Sequence, residues 1–175
     1  ITASGGPFFY LPLNKFKSID INSALKHPNW KMGKKISIDS ATMMNKVFEI
    51  IEAKKIFDLK YEQLKILVHP KSYAHALIQF KNGLTKLLIH DTNMSIPIFN
   101  SLYELNEKTI KSKNLDFSII NNLRFEKINF KRFPVVKILN NMQNNHSLFE
   151  TIIVAANDQL VEMFLDNKIQ FLDIS

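Results

Sequence analysis

The sequence predicts an α+β fold: a small, mostly antiparallel sheet with packed helices first, and a helical region last. Three observations carry this. Strand-like apolar runs around an Asn-Gly turn lie between residues 64 and 90. Met43, Val47, Ile50 and Ile51 recur at helical spacing ahead of them. From Pro134 onward the pattern is helical, with one polar break at Asn144 to His146.

Taken in order, residues 4–17 read as loop, because "SGGPF" offers backbone freedom and then a proline. A short helix is expected at 22–26 and an irregular loop at "HPNWKMGKK" (27–35). A brief strand at Ile36 to Ile38 would lead into a long helix from Ala41 to about Phe57. "LKILVHP" (64–70) and "AHALIQF" (74–80) read as strands, and "KNG" (81–83) turns into a third, "LTKLLIH" (84–90). Pro97 opens a helix to about Leu105. Residues 106–122 carry few periodic features, and "LRFEKI" (123–128) reads as an edge strand. The expected organisation is 1–105, a connector at 106–133, and a helical part at 134–175.

Composition narrows the function. The 175 residues are 46% hydrophobic and 22% charged, as in soluble globular proteins. The absence of cysteine excludes disulfides and thiolate metal sites. A net charge of +7 suits an anionic partner: nucleic acid, a lipid surface or a phosphorylated metabolite. It also fits the Lys-, Asn-, Ile- and Phe-rich usage of an AT-rich genome. No run of five like charges and no nucleic-acid signature occurs, so nucleic acid is not expected. Neither is a membrane: no signal peptide is recognisable, and no apolar stretch approaches the roughly 18 residues of a span. Ile1 reads as the end of an incoming strand, and with no initiator methionine the expectation is a fragment.

The chemistry concentrates at "IDSATMMNK" (38–46). Asn45, Lys46 and Glu49 are three and four residues apart and can share one helix face. Ser40 and Thr42 are expected at the helix start, where unpaired N–H groups and the dipole favour an anion. Hydroxyl, amide and ammonium together would cradle a phosphate. The ordinary alternative stands beside it: Asp39 or Ser40 caps the helix, and Lys46–Glu49 is a solvated pair. Ser4 with Gly5 and Gly6 offers a second anion contact or a plain turn. His27, Trp30 and Met32 suit a loop closing over a ligand, or one whose tryptophan tucks into the core. His69 and His75 read as satisfied structural histidines; His90 and His146 carry no signal. Asn157 and Asp158, in an otherwise apolar helix, would satisfy buried polar groups.

Together, "ASGGPF" (3–8), "HPNWKMGKKISIDSATMMNK" (27–46), Glu49, "IEA" (51–53) and "VHPKS" (68–72) resemble the 1-deoxy-D-xylulose 5-phosphate reductoisomerase family. "MSIPI" (94–98), "LDF" (115–117) and "AANDQ" (155–159) continue the likeness more loosely. The resemblance implies an isoprenoid-pathway enzyme that isomerises its sugar phosphate and reduces the product with NADPH, using Mg²⁺, Mn²⁺ or Co²⁺. It implies that Ser4, Ser40, Asn45 and Lys46 hold substrate with His27 beside them. Glu49 would contact substrate and metal, with Glu49, His27 and Lys46 as the catalytic set. Gly33 would lie against NADPH, Trp30 and Met32 would form the lid, and Pro97 would line the opposite wall. It further implies a homodimer in a bacterial cytoplasm or a plastid-type organelle. A Rossmann-like NADPH domain and an Asp-Ser-Glu motif should precede residue 1, so these residues alone should be inactive. Val47 departs from the glycine the family commonly carries there. Two other readings stay open: a non-catalytic phosphate-binding or dimerisation module, and another NADPH-dependent sugar-phosphate oxidoreductase.

Overall fold

The computed structural model describes residues 1–27, 32–103, 108–114, 116–145 and 147–175. Strand β1 (Thr2–Ala3) is followed by a 3-10 helix at Leu13–Ser18 and a short helix α1 (Ile21–Ala24). Helices α2 (Lys34–Thr42) and α3 (Met44–Ile56) come next, then strands β2 (Leu67–Val68), β3 (Ala74–Gln79) and β4 (Thr85–Ile89). Helices α4 (Ser95–Leu102) and α5 (Phe117–Asn121) precede strand β5 (Glu126–Lys127). A 3-10 helix at Pro134–Asn141, helix α6 (Phe149–Leu165) and a last 3-10 turn at Phe171–Ile174 complete the chain.

Among the described residues the strands form two small sheets. β2 lies between β1, parallel to it, and β5, antiparallel to it, with Val68 opposite Ala3 and Glu126. β3 and β4 form a separate antiparallel hairpin across the "KNG" turn. The Thr2 hydroxyl donates to the Ala74 carbonyl at 2.5 Å, which ties the start of the hairpin to β1.

Two apolar clusters hold these elements together. One packs α3 (Met44, Val47, Ile50, Ile51) against Ala3, Val68, Phe133, Val136 and Ile153. The other packs α2 (Ile38, Ala41) against Phe8, Phe16, Val161, Phe164 and Phe171. Both therefore draw on the first fifty residues and on the last forty, so α6 is part of the same core as α2 and α3. Val47, in place of the expected glycine, is fully buried in the first cluster. Arg132 fastens the loop before α1 by donating to the carbonyls of Phe8 and Leu11.

The α+β class holds, and several element boundaries move. The expected strand at 36–38 is helical: Gly33 caps α2, and Ile38 and Ala41, three apart, share its buried side while Ile36 is exposed. Two isoleucines at i and i+2 are too short a window to separate the two periods. The expected single helix from Ala41 is broken at Met43, whose φ of 70° is left-handed. Ser40 and Thr42 are accordingly at the end of α2, not at a helix start. Asp39 and Ser40 cap nothing there. The strand expected at 64–70 contracts to two residues, and so does the one at 123–128, which is an edge strand as expected. Among its described residues the connector holds one short helix, α5, capped by the Asp116 side chain. α4 starts at Ser95, two residues before Pro97, and its expected end at Leu105 lies outside the described residues.

Candidate functional site

α3 presents the polar cluster. Glu49 Oε1 accepts from Asn45 Nδ2 at 2.8 Å and from Lys46 Nζ at 2.6 Å. The Lys46 and Glu49 side chains are 19% and 33% exposed, so the pair is neither fully solvated nor enclosed. Asn45 and Lys46 occupy the first turn of α3, and the Met44 N–H donates to Thr42 Oγ1 across the break at Met43. An ammonium in that turn adds its charge to the positive end of the helix dipole. The turn therefore favours an anion, and at present the Glu49 carboxylate is that anion.

The loop after β1 closes one side. Gly5 and Gly6 have φ of 89° and 66°, and the Gly6 N–H donates to Ser4 Oγ at 3.2 Å. Ser4 Oγ shares a 3.3 Å hydrogen bond with His27 Nε2. A Cβ on Gly6 would lie 2.7 Å from the Ser40 carbonyl oxygen, so the loop is pressed against the last turn of α2. Ser4 and His27 are joined directly, and the neighbouring Gly6 backbone meets the Ser40 carbonyl at an approach that only glycine permits.

Lys46 acts electrostatically on several groups around it. Burial, and then the Lys46 charge, hold the His27 imidazole below its ordinary range. The Ile1 ammonium is lowered by burial and again by Lys46, against a raising effect of Glu49. His75 is pushed down to about 4, first by burial, then by His90, with Lys46 and His69 adding to it. A neutral imidazole next to an ammonium can donate or accept a hydrogen bond without adding charge.

His75 is the residue that sequence reasoning undervalued. Its ring stacks on His90 at 3.5 Å between centroids, and its Nε2 is buried without a partner. The expectation of a satisfied structural histidine fails at that atom, whose burial no sequence spacing records. His69 is half as expected: Nδ1–H donates to the Arg124 carbonyl at 2.8 Å, while Nε2 is buried and unpartnered. His90 donates to the Asp91 carbonyl.

The other expected site residues divide. Met32 is half-buried just before α2, whereas Trp30 lies outside the described residues, as does His146. Gly33 is the exposed N-cap of α2, and a Cβ there would meet nothing within 4 Å. Pro97 is half-buried in the first turn of α4. Among the described residues no group of three His, Asp or Glu side chains could hold a metal ion. Glu49 could supply one ligand, and one carboxylate does not make a cation site. Nor do the described residues include a glycine-rich nucleotide cradle, so by themselves they complete neither a metal site nor an NADPH site. No helix among the described residues is long and apolar enough to cross a membrane.

Comparison with known proteins places the chain in a family. The sequence profile of the 1-deoxy-D-xylulose 5-phosphate reductoisomerase C-terminal domain matches residues 1–57. That of the DXP reductoisomerase C-terminal domain matches residues 90–175. The reductoisomerase of Pelagibacter ubique is 69% identical across all 175 residues. The chain belongs to the 1-deoxy-D-xylulose 5-phosphate reductoisomerase family. It spans 45% of the length of the Pelagibacter ubique protein. It also spans 46% of the Anaplasma phagocytophilum reductoisomerase, to which it is 41% identical. Its fold is that of the corresponding part of solved reductoisomerases. The Zymomonas mobilis enzyme in complex with NADPH superposes with a TM-score of 0.88 at 37% identity, covering 99% of this chain and 45% of that one. A DOX-P reductoisomerase in complex with NADPH, fosmidomycin and magnesium superposes at 0.87 and 36% identity, covering 99% and 43%.

Proposed function

We propose that these residues form the substrate-phosphate site of a 1-deoxy-D-xylulose 5-phosphate reductoisomerase, which converts that sugar phosphate to 2-C-methyl-D-erythritol 4-phosphate with NADPH and a divalent cation. The observation that carries the reading is the convergence of Asn45 and Lys46 on one oxygen of Glu49. The two donors already hold an anionic oxygen, and an incoming phosphate would take over that role and release Glu49. Lys46 supplies point charge, Asn45 direction, and Ser4 and Ser40 further hydrogen bonds. Gly6, whose N–H donates to Ser4, packs on the Ser40 carbonyl and so links the loop of Ser4 to the end of α2. His27, kept neutral by burial and by Lys46, hydrogen-bonds Ser4 and fixes its hydroxyl.

Glu49, freed from Lys46, would face the substrate oxygens and provide one ligand to the cation, which supplies charge stabilisation for the enediolate oxygens when bound. With further carboxylates supplied from outside these residues, the oxygen ligands would suit Mg²⁺, and Mn²⁺ or Co²⁺ could substitute by the same chemistry. The segment at 27–33, including Trp30, Met32 and Gly33, is proposed to close over the ligand and exclude water, with Gly33 towards NADPH and Pro97 on the opposite wall. On this reading residues 1–105 carry the site and a dimer face, 106–133 connect, and 134–175 open the helical part. The dimer face is the β3–β4 hairpin, where Ile78, Leu84 and Leu88 are each about half exposed. A cytoplasmic setting accompanies the proposed activity.

The test is Lys46→Ala in the full-length protein that contains these residues. Removing a partly buried ammonium that pairs with an anion should lower kcat/KM for deoxyxylulose phosphate by roughly 100-fold or more. A near-normal rate would overturn the phosphate assignment. A full-length protein that binds a sugar phosphate but does not turn over deoxyxylulose phosphate would favour a different oxidoreductase or a binding module.

A further inference from the structure

α2 links two parts of the proposed site. It begins at Gly33, where the 27–33 segment ends, and its last turn carries Ser40, with Gly6 packed on the Ser40 carbonyl. Between them lies Asp39, whose residue is only 3% exposed. A carboxylate so placed needs charged or hydrogen-bonded partners. Lys35 Nζ reaches Asp39 Oδ2 at 2.7 Å from one side. The other oxygen is met from outside the helix: Asn157 Nδ2, on α6, donates to Asp39 Oδ1 at 2.8 Å. Lys35 also pairs with Asp158, the next residue of α6, at 3.0 Å.

Asn157 is itself 1% exposed, and its Oδ1 has no partner. A buried amide with one unmet oxygen is unfavourable, and an apolar residue would pack there without that deficit. The reverse orientation of the amide would set Oδ1 against the Asp39 carboxylate. What the asparagine contributes is therefore a single directional bond to Asp39. Around it the α2–α6 contact is apolar, through Ile38, Ala41, Val161 and Phe164, and apolar contacts allow sliding that a buried hydrogen bond does not.

We propose that Asn157 is a positioning residue for the anion site: through Asp39 it sets the register of α2 on α6, and with it the placement of Ser40 and of the loop exit at Gly33. The carboxy-terminal helix is then a working part of the substrate site, and this rests on the phosphate-site reading above. Asn157 touches no substrate; it acts through α2.

The experiment uses the full-length protein in three forms: Asn157→Ala, Asn157→Asp, and the exchange Asp39→Asn with Asn157→Asp, which restores an amide–carboxylate bond with the roles reversed. Asn157→Ala should raise KM for deoxyxylulose phosphate about tenfold, with kcat and KM for NADPH within about threefold. Asn157→Asp, which opposes two carboxylates, should raise it further, and the double exchange should recover most of the loss. A lowered Tm with unchanged substrate KM would make the pair merely structural and overturn the assignment; so would a KM defect that the exchange does not relieve. Amide hydrogen exchange at 36–42 is independent of the reaction. It should quicken about tenfold in Asn157→Ala and return in the double exchange. If the unmodified protein does not turn over deoxyxylulose phosphate, the proposed reaction fails and this arm alone decides; unchanged exchange sinks the positioning role.

Discussion

At Glu49 one carboxylate oxygen holds both an amide and an ammonium, and the partial burial of the pair keeps it from being only a surface bridge. Removing that internal anion should leave the cradle hungry for another. Glu49→Gln is expected to bind inorganic phosphate roughly tenfold more tightly by calorimetry, while turnover in the full-length protein falls sharply. Weaker phosphate binding would contradict the idea that Glu49 occupies the anion position. His75 gives a pH dependence. Unfolded, it takes up a proton near pH 6.5; folded, burial and the charges of His90, Lys46 and His69 delay that until about 4. The unfolded state therefore binds more protons between those values, so stability is complete above about 6.5 and is lost as pH falls towards 4. His27, lowered by burial and Lys46, acts in the same direction. Denaturant midpoints at pH 7 and 5 should differ less in His75→Gln than in the unaltered protein, and an equal drop would refute the assignment. The clustering of Asn45, Lys46 and Glu49 was legible because their spacing places them on one face of a helix. His75 was not, since its neighbours come from other elements.

The decisive local element is the junction of α2 and α3. Met43 adopts a left-handed conformation, which costs a non-glycine residue about 1 kcal/mol. It is held there because its side chain is buried in the α3 cluster at 2% exposure, which outweighs the strain. Apolar periodicity identified α3 well, but a break set by tertiary burial at one methionine leaves no mark in the pattern. For the same reason Ser40 and Thr42 read as helix-start residues although they close a helix. The glycine loop is tied to this junction. Gly6→Ala would combine a left-handed φ of 66° with a Cβ 2.7 Å from the Ser40 carbonyl. It should destabilise the protein by about 1–3 kcal/mol in denaturant titration and raise the substrate KM as Ser4 and Ser40 separate. Unaltered stability would mean that the loop yields without disturbing α2.

Across the whole molecule, the hairpin of β3 and β4 stands apart from both cores. Ile78, Leu84, Leu87 and Leu88 are exposed, and so are Met94, Ile98 and Leu102 on or beside α4. Exposed apolar side chains on a two-stranded sheet with unpaired edges mark an interaction face. The proposed dimer would cover it. Leu88→Lys should shift the full-length protein towards monomer in sedimentation at micromolar concentration, with folding stability changed by no more than about 0.5 kcal/mol. An unaffected dimer, or an unaltered protein that is monomeric, would remove the hairpin from that role.

Local periodicity and turn chemistry, which act over a few residues, were enough to read the fold class, the helix that carries the candidate site, the hairpin turn and the group of polar residues at 40–49. Only the tertiary structure decided that α2 ends at Thr42, that Gly6 lies on Ser40, that His75 comes within the field of Lys46, and that Asn157 reaches Asp39. Each of these depends on residues far apart in the chain, brought near by how apolar faces pack, and no short-range pattern encodes such a distance.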